Sequence, residues 1–251
     1  LSILHSHPSS AWKKLDTRSR IGGRRMGHPD GLCQRDSAKG LLVAALARED
    51  RRAFDGTETW RDLEESMAKT ESTMVELGSA APAFELRDVV SGKTVSRDSA
   101  AANSNGLLVM FICVHCPYVI HVEEELARIG ADYAGKVATV AISSNDVANY
   151  PEDSPAEMKK QAERLGFRFP YLYDETQQVA RAFDAACTPD LFLFDKQMKL
   201  VYRGQLDGSR PHNDVPVTGK DLRAALDAVV AGRKPDANQK SSLGCNIKWK
   251  A

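Results

Sequence analysis

From residue 74 onward the chain alternates continuous apolar runs with apolar residues spaced at helical intervals. Phe84-Glu85-Leu86-Arg87-Asp88-Val89 alternates apolar and polar positions and leads through Ser91-Gly92-Lys93, a turn signal, into Thr94-Val95. Leu107-Leu108-Val109-Met110-Phe111-Ile112 is unbroken, as expected of a strand buried on both faces. Behind Cys116-Pro117, residues Val119, Val122, Leu126, Ile129 and Tyr133 recur in steps of three and four, with Glu123, Glu124 and Arg128 assigned to the other faces. That spacing predicts an amphipathic helix. A second buried strand follows at Val137-Ala138-Thr139-Val140-Ala141-Ile142, then a helix over residues 155–165 with Pro155 at its start and Gly166 as its stop. Tyr171-Leu172-Tyr173 reads as a short strand and residues 176–183 as a short helix. Leu191-Phe192-Leu193-Phe194 and Leu200-Val201-Tyr202 form a hairpin around Asp195-Lys196-Gln197. Leu222, Leu226, Val229 and Val230 mark a last helix, stopped by Gly232 and Pro235. Strands alternating with helices in this order imply an α/β domain over residues 74–251, a mixed sheet flanked by helices.

Residues 1–73 follow no such pattern. Residues 1–40 hold eight Lys and Arg against three Asp and Glu among scattered Gly, Ser, His and Pro. Such a composition buries too little surface to offset the entropy of ordering. The one apolar cluster, residues 41–47, is short and runs into Arg48-Glu49-Asp50-Arg51-Arg52, so a secretory signal is disfavoured. Early Arg and Ser with few acids fit an organelle transit peptide. The preferred expectation is an extension, disordered or partly helical, that lies upstream of the folded protein and is translated or assigned in error. Met74 stands directly before the first well-patterned segment, and a chain starting there is expected to keep its fold and redox activity.

Composition narrows the function class. In 251 residues, 34 Lys and Arg balance 34 Asp and Glu. A formal charge of zero argues against a strongly basic nucleic-acid binder or a polybasic membrane-surface protein. No run approaches the roughly 18 apolar residues of a membrane-spanning helix. The expected compartment is the cytoplasm, or an organelle if residues 1–73 are a transit peptide. Five cysteines are too few for a disulfide-stapled scaffold, and their placement matters more than their number.

Cys113-Val114-His115-Cys116 stands where an apolar strand meets an amphipathic helix. This spacing brings two sulfurs within reach of a disulfide, and the amides and dipole of a helix N-terminus stabilise a thiolate. The thiolate is the species that attacks a disulfide or a peroxide. His115, between the two, adds a positive charge or donor that tunes the nucleophile. Half a zinc site would need a second ligand pair, whereas Cys33, Cys187 and Cys245 are all single. A c-type haem site needs His after the second Cys, where Pro117 stands. Two inert core cysteines are the remaining competing reading.

The strand, C-x-x-C and helix, together with Thr188-Pro189 ahead of an apolar strand, resemble the thioredoxin superfamily. Gly78-Ser79-Ala80-Ala81-Pro82-Ala83-Phe84, residues 111–119, Asp190-Leu191-Phe192-Leu193-Phe194-Asp195 and Gly244-Cys245-Asn246-Ile247-Lys248-Trp249-Lys250 resemble the peroxiredoxin-like branch of the alkyl hydroperoxide reductase/thiol-specific antioxidant family. The likeness spans nearly all of residues 74–251. It implies a thioredoxin-like fold in which Pro189 is cis and, with Thr188, shapes a substrate groove beside the cysteines. It also implies a thiol–disulfide oxidoreductase with Cys113 as attacking thiolate, Cys116 as resolving thiol and a disulfide between them. Weak peroxidase, antioxidant activity is a further expectation. Phe111-Ile112 replaces the Trp typical of thioredoxins, and their buried strand carboxylate is missing, which leaves the proton acceptor unassigned. Pro189 stands where peroxiredoxins carry a peroxide-binding Arg, which favours disulfide exchange over efficient peroxide reduction.

The expected partners are a protein disulfide or peroxide substrate and a thiol reductant such as thioredoxin or glutathione, with no cofactor, metal, nucleic acid or membrane. Cys187 and Cys245 are candidate third redox thiols, Cys245 through a mobile polar tail that swings it to the active site, against a buried structural role for Cys187 and an idle surface thiol for Cys245. His121 reads as a helix-face residue, and His5, His7 and His28 are poorly framed for a metal. His212 with the two cysteines offers a metal-delivery alternative, although such cysteines are usually four apart. Asp207 and Arg210 share its loop. The alternative from a different class is a redox-inactive or metal-carrying binding module that keeps the fold.

Overall fold

The computed structural model describes residues 69–251. Its strands are β1 (Lys69–Glu71), β2 (Glu85–Asp88), β3 (Thr94–Ser96), β4 (Gly106–Phe111), β5 (Ala138–Ser143), β6 (Tyr171–Tyr173), β7 (Cys187–Thr188), β8 (Asp190–Asp195), β9 (Leu200–Arg203) and β10 (Leu243–Asn246). Its helices are α1 (Arg97–Ala101), α2 (Pro117–Asp132), α3 (Pro155–Leu165), α4 (Gln178–Ala182) and α5 (Lys220–Val230). Seven strands form one sheet in the order β3-β2-β6-β5-β4-β8-β9. The β4–β5 and β5–β6 pairs are parallel and the others antiparallel, which is the mixed sheet expected from the pattern.

The unbroken apolar run takes the centre of that sheet because both of its faces are covered. Side chains alternate across a strand. Leu108, Met110 and Ile112 therefore pack with Val119, Val122 and Leu126 of α2 and Leu222 and Leu226 of α5. Leu107, Val109 and Phe111 point the other way, among Phe84, Phe183, Phe192 and Phe194. Phe183 meets Phe111 and Phe192 edge-on, with ring centroids 5.4 and 5.3 Å apart. This is the favoured geometry of aromatic pairs.

Pro117 opens α2, where its missing N–H costs nothing. Glu123 and Glu125 are buried rather than solvated, because each meets cations from a neighbouring helix. Glu123 accepts from Arg164 at 2.9 Å and from Gln161 at 2.9 Å, and Glu125 from Arg223 at 2.6 Å. A carboxylate so paired tolerates a site where an unpaired one would be costly. The expected stop at Gly166 is a left-handed C-cap with φ of 64°.

A second, three-stranded sheet of order β1-β10-β7 lies outside the expected pattern. β1 shifts the boundary expected at Met74, because residues 69–73 belong to the fold. Lys69 pairs with Cys245, Ser72 N–H donates to Ser242 O at 2.9 Å, and Thr73 Oγ1 donates to Asp184 O at 2.6 Å. The readings made for residues 1–68 lie outside the described residues. Among the described residues no helix is long and apolar enough to cross a membrane.

Candidate functional site

β4 delivers Cys113 at its C-terminal end and Cys116 is the N-cap of α2, so a short loop carries the two thiols from strand to helix. Both are buried, at 1% and 0% exposure. The Thr188–Pro189 bond is cis, as the resemblance implies, and the loop packs on both sulfurs. Cys113 Sγ lies 3.4 Å from Thr188 Oγ1, and Cys116 Sγ lies 3.1 Å from Thr188 O.

Amides at the strand-to-helix turn were the expected stabilisers of a Cys113 thiolate. They are taken by Asp153 instead. Its Oδ1 accepts from Val114 N–H at 2.8 Å and His115 N–H at 3.1 Å, while its Oδ2 faces His115 Nδ1 at 2.6 Å and accepts from Asn145 at 2.7 Å. Asp153 is fully buried. Burial works to raise its pKa, but the bonds from His115, Asn145 and Val114 outweigh it and hold the carboxyl below its ordinary value. The His115 imidazole is held above 6.5 mainly by the same bond, against a smaller effect of burial. It stacks on Tyr150 at 5.8 Å.

The thiols respond accordingly. Cys113 is pushed well up by its bond to Cys116, by burial and by the charges of Cys116 and Asp153. Burial also opposes ionisation of Cys116, yet bonds from Cys113, Cys245 and Thr188, and the Cys245 backbone N–H, pull it far down. Of the two thiols, Cys116, at the helix N-terminus, is the one pulled down and Cys113 the one pushed up. His115 faces Asp153, and the ligand atoms of Cys113, His115 and Asp153 lie within 4.8 Å of one another.

Cys245 is not in a mobile tail. It lies in β10, between β1 and β7, opposite Thr188, and belongs to the same buried cluster as Cys113 and Cys116. The following residues are tied down as well: Lys248 N–H donates to Asn145 Oδ1 at 2.9 Å and Lys250 N–H to Gln177 Oε1 at 2.8 Å. Cys187 precedes Thr188 and takes the other face of β7, near Asp190 and Arg203, where burial pushes its thiol up. The structure thus brings Cys113, Cys116, Cys245 and Thr188 together and leaves Cys187 apart.

Other candidates resolve into supports. His121 lies on α2 with Nε2 buried and without a hydrogen-bond partner. His212 is exposed. Asp207 is buried and holds its loop by accepting from Ser209, Thr218 and Gly219, while Arg210 donates to Asp207 O and Gln205 Oε1. Among the described residues, one grouping has metal-ligand proximity: Cys113, His115 and Asp153, whose ligand atoms lie within 4.8 Å of one another. Both Asp153 oxygens already accept two bonds each, so a metal would have to displace donors that hold the loop.

The Asp153–His115 pair gives a testable pH dependence. His115, with its folded pKa raised, contributes stability that is fully present below about pH 6.5 and lost as pH rises through the folded value. Asp153→Asn should lower the His115 pKa, since burial is then opposed only by the charges of Glu152 and Cys116. NMR titration of the imidazole checks this, and an unchanged pKa in the variant rules the pairing out.

No curated protein matches the chain. The chain is 55% identical to an uncharacterized conserved protein from Geobacillus kaustophilus, with a TM-score of 0.71 over 72% of this chain and 96% of that one. It is 45% identical to a hypothetical protein from Sinorhizobium meliloti 1021, with a TM-score of 0.71 over 72% of this chain and 99% of that one. Residues 77–203, from the turn ahead of β2 to the end of β9, match the model of the AhpC/TSA family. The mixed sheet, the thiols at the start of α2 and the cis-Pro loop beside them make the fold thioredoxin-like, and the chain belongs to the AhpC/TSA family.

Proposed function

We propose that this protein is a thiol–disulfide oxidoreductase that cycles through a Cys113–Cys116 dithiol and disulfide. One observation carries the reading: both thiols meet the same residue of the cis-Pro loop, Cys113 at Thr188 Oγ1 and Cys116 at Thr188 O. Cys116, rather than Cys113, starts the reaction. Its thiolate attacks a substrate disulfide, one substrate thiolate leaves, and a mixed disulfide forms on Cys116. Cys113 then attacks Cys116 Sγ, the second substrate thiolate leaves, and the Cys113–Cys116 disulfide remains. The proton of Cys113 passes to the His115–Asp153 pair, which stands within 4.8 Å and fills the place left open by the missing strand carboxylate. Thr188 and Pro189 form the wall that the substrate meets. An external dithiol, or two molecules of a monothiol such as glutathione, reverses the two steps and is itself oxidised.

Peroxide reduction by the same thiols is a second reading, favoured by burial. Sulfurs at 1% and 0% exposure admit a small oxidant with less rearrangement than a protein disulfide needs. Equilibration against glutathione redox buffers, followed by peptide mapping, tests the main reading. A Cys113–Cys116 disulfide that forms and reverses with the buffer is expected. Absence of any dithiol titre in the folded protein would overturn it in favour of a redox-inactive binding module. Dimedone labelling after peroxide tests the second reading, with the adduct expected on Cys116.

A further inference from the structure

We propose that Cys245 is a third redox thiol, and that the disulfide moves from Cys113–Cys116 to Cys116–Cys245 by exchange within the protein. The inference rests on the dithiol reading above and extends it from two sulfurs to three.

Three independent features place Cys245 for this step. The first is register. β10 pairs antiparallel with β7 so that Cys245 stands directly opposite Thr188, the residue that touches both other sulfurs. Directly opposed residues send their side chains to the same face of a sheet. The second is close approach. A Cβ on Gly244 would lie 2.0 Å from Thr188 O and 2.6 Å from Thr188 C, so only glycine lets β10 press onto the cis-Pro loop. The third is contact. The three cysteines belong to one buried cluster, and Cys116 and Cys245 perturb one another's ionisation. Cys116 is thus shared between two thiol neighbours, whereas Cys187 points to the opposite face.

The exchange needs no outside oxidant once the first disulfide exists. Cys245, losing its proton, attacks Cys116 Sγ. The Cys116–Cys245 bond forms, the Cys113–Cys116 bond breaks, and Cys113 leaves as a thiolate that takes up the proton. Electrons balance, because one disulfide replaces another. The result moves the oxidised sulfur from two fully enclosed positions onto the C-terminal strand, where Cys245 is the most exposed of the three at 8%.

The full chain carrying Cys113→Ser tests this. Treated with diamide, which takes up two electrons and two protons per disulfide formed, the folded variant should lose two thiols and yield a Cys116–Cys245 crosslink on non-reducing peptide mapping. Adding Gly244→Ala to that variant should reduce the crosslink several-fold by lifting β10 off Thr188. Wild type quenched in acid during oxidation should show the same crosslink beside Cys113–Cys116, which covers the case in which Cys113→Ser fails to fold. A glutathione adduct or sulfenate left on Cys116, a link to Cys187 or Cys33, or a Cys245 link between two chains would overturn the proposal. Those outcomes leave the dithiol reading standing if wild type still forms Cys113–Cys116. Wild type with no dithiol titre sinks that reading separately.

Discussion

Cys116→Ser is expected to abolish reduction of a model disulfide, whereas Cys113→Ser combined with Cys245→Ser should still complete the first half of the reaction and stop. An ordinary thiol with a pKa near 8.5 is only about 3% thiolate at pH 7, so a strongly depressed one gains roughly 30-fold in reactive species. Cys116 is the thiol pulled down, and the amides that would have served Cys113 are held by Asp153. A serine hydroxyl in the same place does not ionise near neutral pH. Reaction with an aromatic disulfide reads out both variants: Cys113→Ser with Cys245→Ser should release one aromatic thiolate and keep the other half bound on Cys116. Turnover by Cys116→Ser at the wild-type rate would return the nucleophile to Cys113.

The largest stability effect is expected at Arg203. Its side chain is fully buried on β9, 3.1 Å from Asp190, with the guanidinium stacked 3.8 Å over the Phe192 ring. It also donates to Asp184 O and Thr73 Oγ1, each at 3.1 Å. Arg203→Met leaves Asp190 as an unpaired carboxyl in the interior, a change that typically costs about 3–5 kcal/mol. Burial already pushes Asp190 up to about 6 while Arg203 pulls it down, so loss of the cation raises it further. A carboxyl with a raised folded pKa costs stability as pH rises from its unfolded value of about 3.9 through the folded one. The variant should therefore be nearest to wild type in acid and weakest near neutrality. Urea unfolding at pH 5 and pH 7.5 measures both quantities, and a loss below about 1 kcal/mol at pH 7.5, or one that does not grow from pH 5 to pH 7.5, contradicts the pairing. Arg203→Met with Asp190→Leu should recover part of the loss.

Why one part of the molecule is legible in its sequence and another is not comes down to where the information sits. β4, α2, α3 and the β8–β9 hairpin each carry their own period or punctuation, from the run at 107–112 to Gly166. Thr188-Pro189 is a local motif. Asp153 has no such signal, since an acid in Pro151-Glu152-Asp153 looks like any solvated loop. It is buried only because Asn145, His115 and the amide of Val114 converge from separate segments. β10 is similar. Leu243-Gly244-Cys245-Asn246 is short and half polar, and it is a strand only because β1 and β7 pair with its two edges. The nearest thing to a local clue is Gly244, whose missing side chain becomes meaningful only once Thr188 is known to lie against it.

The position of β10 between β1 and β7 also sets which amides open together. Backbone hydrogen bonds broken in one motion form a single unit of hydrogen exchange. β10 leaves Thr188 only if β1 moves with it or releases it at Lys69, Thr70 and Glu71. Amide exchange at residues 243–246 should thus share one opening free energy with that of residues 69–72. A chain trimmed to begin at Met74 should exchange faster at 243–246 while the amides of β4 keep their protection. Fraying of β1 is in this way expected to set the rate at which solvent reaches the sulfurs.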